Sequence, residues 1–376
     1  MTPTGTPHAS LGARARQSLR HTQAPLLWGL AVAALAALIV GSLAAWAVGF
    51  RPPATAPQAG VDYTVAVIGR VVPAGLVSAF VVMAGLLVPK EKSAKAVVGV
   101  SVLMLAAIFI AWSTVGHPLW SGVAMAAIMG LAALAVRQSP ALAAAGMVLS
   151  NGYFFFGVIG LVRGLSGADA LELGLTGAGA AIVMLVVLSV VRRATGFRLV
   201  KPPPAKSEPS DGPRHRVGWF APGPVLRYAI LRAVMLGIAV GFYAATDDHN
   251  LFWVLLTIWV VLQPAPDSTF DKAVRRVGGV MVGCLLIGAL SQAVPPEVIL
   301  IVAVAALFVG LLFYARSYTV YAAGISFMVV ALFGAADNGH FVTWAGLRTL
   351  DTIIGAAISL LAYFLVVSLP DRRRSA

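Results

Sequence analysis

Twelve apolar runs, most of them close to the length needed to cross a ~30 Å hydrocarbon core, govern what this chain can become. They fall at 26–49, 66–88, 95–114, 118–136, 141–162 and 171–191, and then at 225–245, 251–263, 272–290, 297–315, 318–335 and 347–369. Inside a bilayer each backbone N–H and C=O must find its partner within the protein, so runs of this kind fold as helices. With 59% hydrophobic and only 11% charged residues, no soluble core could hide the apolar surface. The expected fold class is all-α: a polytopic membrane protein of about twelve transmembrane helices.

The charges orient the chain. Counted from a cytoplasmic N-terminus, the inner loops carry Lys90, Lys92, Lys95, Arg137, the basic stretch 192–227, Lys272, Arg275, Arg276, Arg316 and Arg372 to Arg374. The opposite loops carry Arg51 and Arg163 but also Asp62, Asp169, Asp247, Asp248, Glu297 and Asp337. By the positive-inside rule both termini are cytoplasmic. The net charge of +13 therefore reflects topology and contact with the lipid bilayer, not nucleic acid. The expected location is a bacterial-type cell membrane. Trp46, Trp112, Trp120, Trp253 and Trp344 fall near outer helix ends, as an interfacial belt requires.

A basic tail (1–25) precedes a first membrane half (26–194), with the first apolar run read as a retained helix. A Pro-rich linker follows (195–224, containing KPPPAKSEPSDGPRHR), then a second half (225–370) and a basic tail (371–376). The linker can bury no core and reads as a cytoplasmic connector. Three echoes relate the halves. LAVRQSPALAAAG ending at Gly146 parallels FYARSYTVYAAG ending at Gly324; Phe156-Gly157 parallels Phe333-Gly334; and Lys95-Ala96-Val97 parallels Lys272-Ala273-Val274. Six helices per half give both the same orientation, hence two six-helix parallel repeats.

No metal or cofactor site is expected: there is one cysteine, Cys284, and HExxH, GxSxG and Walker patterns are absent. An enzyme is not expected either. The chemistry gathers instead at 251–290. The run 251–262 would make only ~18 Å of helix before Gln263 and Pro264 end it. Asp267 or Ser268 can cap the next helix, and Arg275 and Arg276 follow within about two turns as forked donors for a carboxylate or phosphate. Arg232, about two turns into the seventh run, can line the same cytoplasmic vestibule. Substrate binding is thus assigned to Arg232, Gln263, Pro264, Arg275 and Arg276. The competing readings are an Asp271–Arg275 pair, Arg276 at the lipid headgroups, and Arg232 snorkelling to the interface. Arg348 and Asp351 stand at i, i+3 and form a local ion pair or a coupling site. Gly237 with Gly241, and Gly279 with Gly283, are small-xxx-small pairs for close helix packing.

FWVLLTIWVVLQP, RRVGGVMVG and GLRTLDTIIGAAISL together resemble the fusaric acid resistance (FUSC) family of membrane transporters. Trp253, Gln263-Pro264, Arg276, Gly278-Gly279, Arg348, Asp351 and Gly355 fall in order at family-like spacings over 225–369. Aromatic acid exporters belong to that family, and plant aluminium-activated malate channels look like distant relatives. This chain departs in three ways. Gly278-Gly279 replaces a usual Gly-Thr, the first half offers Val88-Pro89 in place of a Gln-Pro, and a short linker replaces a cytoplasmic domain. The resemblance implies efflux of small organic anions, aromatic carboxylates being the familiar case. A passive organic-anion channel and a non-transporting scaffold for envelope assembly are the alternatives. A homo-oligomer is compatible with each.

Overall fold

A computed structural model describes residues 28–50, 61–88, 90–158, 165–195, 219–220, 223–246, 249–262, 269–314, 316–337 and 339–367. The N-terminal tail 1–25, most of the linker, the tail 371–376, and both Gln263 and Pro264 lie outside these residues. Among the described residues there is no strand, and twelve α-helices follow one another. They are α1 (Trp28–Ala47), α2 (Val61–Leu87), α3 (Lys90–Thr114), α4 (Pro118–Ala135), α5 (Pro140–Tyr153), α6 (Gly167–Thr195), α7 (Pro224–Thr246), α8 (His249–Val261), α9 (Thr269–Leu290), α10 (Pro296–Phe313), α11 (Tyr318–Ala336) and α12 (Phe341–Val367). Eleven are long and apolar enough to cross a membrane; α8 is the short one. Leu119 on α4, Leu285 on α9 and Ile301 on α10 stand outward and exposed. Apolar outer faces of this extent suit lipid, and the chain is a multi-pass membrane protein.

Several helices begin where local chemistry dictates. The Ser139 and Ser317 hydroxyls accept the backbone N–H groups of Leu142 and Val320, capping α5 and α11. These serines stand at matching places in the two related sequence stretches. Each helix then carries a glycine against its predecessor: a Cβ on Gly146 would lie 2.9 Å from Ala132 of α4, and one on Gly324 would strike the Ala306 carbonyl of α10. Ser317→Ala should lower stability by about 1 kcal/mol, seen as a lower thermal midpoint in detergent.

One irregularity falls beside the first of these stretches. From Gly146 to Phe156 is ten residues, whereas from Gly324 to Phe333 is nine. A π-helical turn, Phe154–Val158, prolongs α5. Its wider i→i+5 ring accommodates one more residue than an α-turn.

Helix pairings recur between the halves. In the first, α2 packs on α1, α3 and α6, α3 packs on α5 and α6, and α4 packs on α5. In the second, α8 packs on α7, α9 and α12, α9 packs on α11 and α12, and α10 packs on α11. Across the halves α7 lies against α4, and α1 against α10, where the Trp28 and Phe308 rings are 5.9 Å apart. The apolar core does not divide at the linker. Tyr228, Leu231, Leu236 and Val240 of α7, Leu255 and Ile258 of α8, and Leu262 just after it are buried with first-half residues such as Met104, Met125 and Phe154. A second core forms from α9 to α12, around Val280, Ile287, Ile299, Phe327 and Phe341.

Candidate functional site

Four charged side chains are buried among the described residues: Arg232, Arg276, Arg348 and Asp351, at 1%, 3%, 1% and 6% exposure. All belong to the second half. Three cations against one carboxylate is an imbalance that apolar surroundings make costly, since an arginine at the centre of a membrane helix costs roughly 2.5–3.5 kcal/mol on insertion scales.

Arg232 marks the first node. It stands eight residues into α7, ~12 Å along the axis. One terminal nitrogen donates to the Met129 carbonyl of α4 at 3.3 Å, while its Nε has no partner. Tyr228, one turn earlier, meets the Thr269 hydroxyl at the start of α9 and packs edge-on to Tyr363 of α12. Lys272, half-buried on α9, comes within electrostatic reach of Arg232. Each of these side chains projects from an element set by close packing. A Cβ on Gly237 would lie 2.8 Å from that of Ala126, and one on Gly241 would lie 3.3 Å from the Pro118 carbonyl, so both glycines face α4 within the chain.

The second node begins one turn further along α9. Lys272 and Arg276 are four residues apart and share a face. Arg276 reaches the Tyr318 hydroxyl of α11, leaves its own Nε unpartnered, and lies within electrostatic reach of Arg348. Arg348, seven residues into α12, stacks its guanidinium over the Trp253 ring of α8, with Cζ 4.3 Å from the centroid. None of its three guanidinium nitrogens has a hydrogen-bond partner. Arg232 with Lys272, and Arg276 with Arg348, are within electrostatic reach, and Lys272 and Arg276 stand one turn apart on α9, so the four cations follow one another as a file along the second half.

Gly279 and Gly283 hold α9 tight to α11. A Cβ on Gly279 would come 2.5 Å from the Thr319 carbonyl, and one on Gly283 would strike the Ala323 carbonyl. The departure at Gly278-Gly279 gains a meaning here, because a threonine at 279 could not be fitted at this approach.

Three expectations change. Arg275 does not join Arg232 and Arg276. It turns outward and its Nε donates to Asp271 at 2.9 Å, because neighbours on a helix diverge by about 100° while residues four apart align. Arg276 is not at the headgroups; it points inward to Tyr318. The i, i+3 pairing of Arg348 and Asp351 stands as an electrostatic contact without a hydrogen bond, the Arg348 guanidinium lying over Trp253. Trp253 is itself 5% exposed, within the fold and not in an interfacial belt. Sequence reading did not single out Tyr318 or the role of Trp253. The one signal for Trp253 was its place, with Arg348, in the recurring family pattern.

Comparison with known proteins finds a match over the same part of the chain. Residues 233–362 match the model of a family described as fusaric acid resistance protein-like. An uncharacterized protein of Haemophilus influenzae is 28% identical over 141 residues, which is 37% of this chain and 19% of that protein. The chain thus covers well under two thirds of this relative's length. No solved structure matches. The matched span takes in Trp253, Arg276, Tyr318, Arg348 and Asp351, and over it the second half of this chain is similar to the fusaric acid resistance protein-like family.

Proposed function

We propose that the protein is a membrane transporter that exports small aromatic or other organic acids, collecting them at a basic mouth on the cytoplasmic side. The observation that carries this reading is the file Arg232, Lys272, Arg276, Arg348. Cations this deeply placed and this poorly hydrogen-bonded suit an anion that is bound in passing and released. A fully built structural ion pair would bring a carboxylate to each, whereas Asp351 is the one buried carboxylate among the described residues. The positive mouth would concentrate anions before entry, and the family resemblance supports organic acids as the class. The recurrent helix pairings support two parallel repeats, and the distribution of Lys and Arg among the loops supports cytoplasmic termini.

Arg276→Ala tests the reading. A hydrogen bond to a charged ligand contributes about 1.5–3 kcal/mol, so efflux of an aromatic acid from loaded cells should fall roughly 10–100-fold at normal expression. Unchanged efflux from a normally expressed variant would remove Arg276 from the pathway. Conductance far above carrier turnover in voltage-clamped bilayers would make the protein a passive channel.

A further inference from the structure

We infer that Arg348, over Trp253, is the carboxylate-binding residue of a membrane-embedded site for one aromatic monocarboxylate, enclosed by α8, α11 and α12. This rests on the export reading and specifies where along the file the substrate's ring is recognised.

The stacking geometry is the first ground. A guanidinium carbon 4.3 Å from an indole centroid gains cation–π and dispersion contact from the ring. All three of its nitrogens are without a hydrogen-bond partner. A planar fork anchored over an aromatic ring and free of hydrogen bonds can take a bidentate carboxylate.

The walls are the second ground. Arg348 borders a small hollow lined otherwise by Trp253, Val329, Val330, Phe333 and Trp344. Trp253 and Phe333 meet edge to face at 5.3 Å, and Phe333 lies 5.1 Å from Trp344. The hollow is closed too tightly for a water molecule. Its outer wall is Phe333, which is 37% exposed. An entering aromatic ring would displace the Phe333 side chain and take over its edge-to-face contact with Trp253. Arg232 has no comparable aromatic platform; its terminal nitrogen is held by a backbone carbonyl.

Charge is the third. Arg276 and Asp351 both act electrostatically on Arg348. Two cations and one carboxylate leave one net positive charge, which a monoanion neutralises and a dianion overshoots.

The experiment uses the full chain in lipid nanodiscs, titrated with benzoate, cyclohexanecarboxylate, benzamide and phthalate. Benzoate should bind at least about tenfold tighter than benzamide and phthalate, and up to about tenfold tighter than cyclohexanecarboxylate. Trp253→Leu should weaken benzoate by up to about tenfold, the scale of one aromatic contact, and narrow its lead over cyclohexanecarboxylate. Arg348→Gln should weaken benzoate roughly 10–100-fold, and Arg348→Lys should recover part of that. Should Arg348→Gln not fold, the wild-type ranking and Trp253→Leu decide. Phthalate or benzamide binding as well as benzoate, no benzoate binding, or an undiminished lead of benzoate over cyclohexanecarboxylate in folded Trp253→Leu each overturns the site. Cells carrying Arg348→Gln that export benzoate at the wild-type rate also overturn the site and leave export standing. Wild-type protein that binds benzoate as described yet exports no acid overturns export and leaves the site.

Discussion

Gly283→Leu should yield essentially no folded protein, whereas Gly278→Leu, five residues away on the same helix, should be tolerated. The contrast isolates packing from helix propensity, because both changes replace glycine by the same good helix former. At Gly283 a Cβ would strike the Ala323 carbonyl, with the Ala323 Cα at 3.2 Å, and both are backbone atoms. Backbone cannot swing aside as a side-chain tip can, so α9 and α11 must separate. Overpacking in a well-filled core commonly costs about 1–3 kcal/mol. Separation here would also loosen the contact at Gly279 and withdraw Arg276 from Tyr318. A Cβ added at Gly278 would meet nothing within 4 Å, so a leucine there simply adds apolar surface. Size-exclusion chromatography in detergent should show a monodisperse Gly278→Leu protein and aggregated or absent Gly283→Leu protein. A monodisperse Gly283→Leu protein with wild-type melting would mean that α9 and α11 do not depend on close approach.

How much of this could be read from residues alone follows from where each property resides. Helix number and type were legible because the bilayer imposes length and polarity on each span separately. Spans came out longer at their polar ends, as in α2, α3 and α12, since hydropathy marks the part in hydrocarbon while backbone hydrogen bonding continues into the interface. Arg232 and Arg276 could be picked out because charge inside an apolar run is costly wherever it stands. The stacking of Arg348 on Trp253 was not legible in the same way. It depends on α8 meeting α12, a contact between elements nearly a hundred residues apart. The outward turn of Arg275 needed only the position of Asp271 one turn back. The division of the core, with α7 and α8 buried in the first half, left no mark in a sequence whose linker falls before α7.

Arg232→Met should separate stability from transport. Arg232 is 1% exposed, makes one long hydrogen bond to the Met129 carbonyl, and leaves its Nε unpartnered. The charged neighbour within its reach is Lys272, of the same sign. Breaking a buried ion pair is costly because it strands the other charge. Here no anionic partner is stranded among the described residues, and replacing buried charge by an apolar group of similar volume is often neutral or stabilising by about 1–4 kcal/mol. Methionine matches the length of the arginine stem and adapts to irregular gaps. The thermal midpoint in detergent should therefore stay level or rise. Efflux of an aromatic acid from preloaded vesicles should fall about tenfold or more, because the first cation in the file is lost while Lys272, Arg276 and Arg348 remain. A residue kept for structure alone would behave in the opposite way, with a lower midpoint and export declining only in proportion to folded protein. Equal export per folded molecule in the variant would therefore confine Arg232 to the packing of α7 on α4, and place the start of the anion path at Lys272 and Arg276.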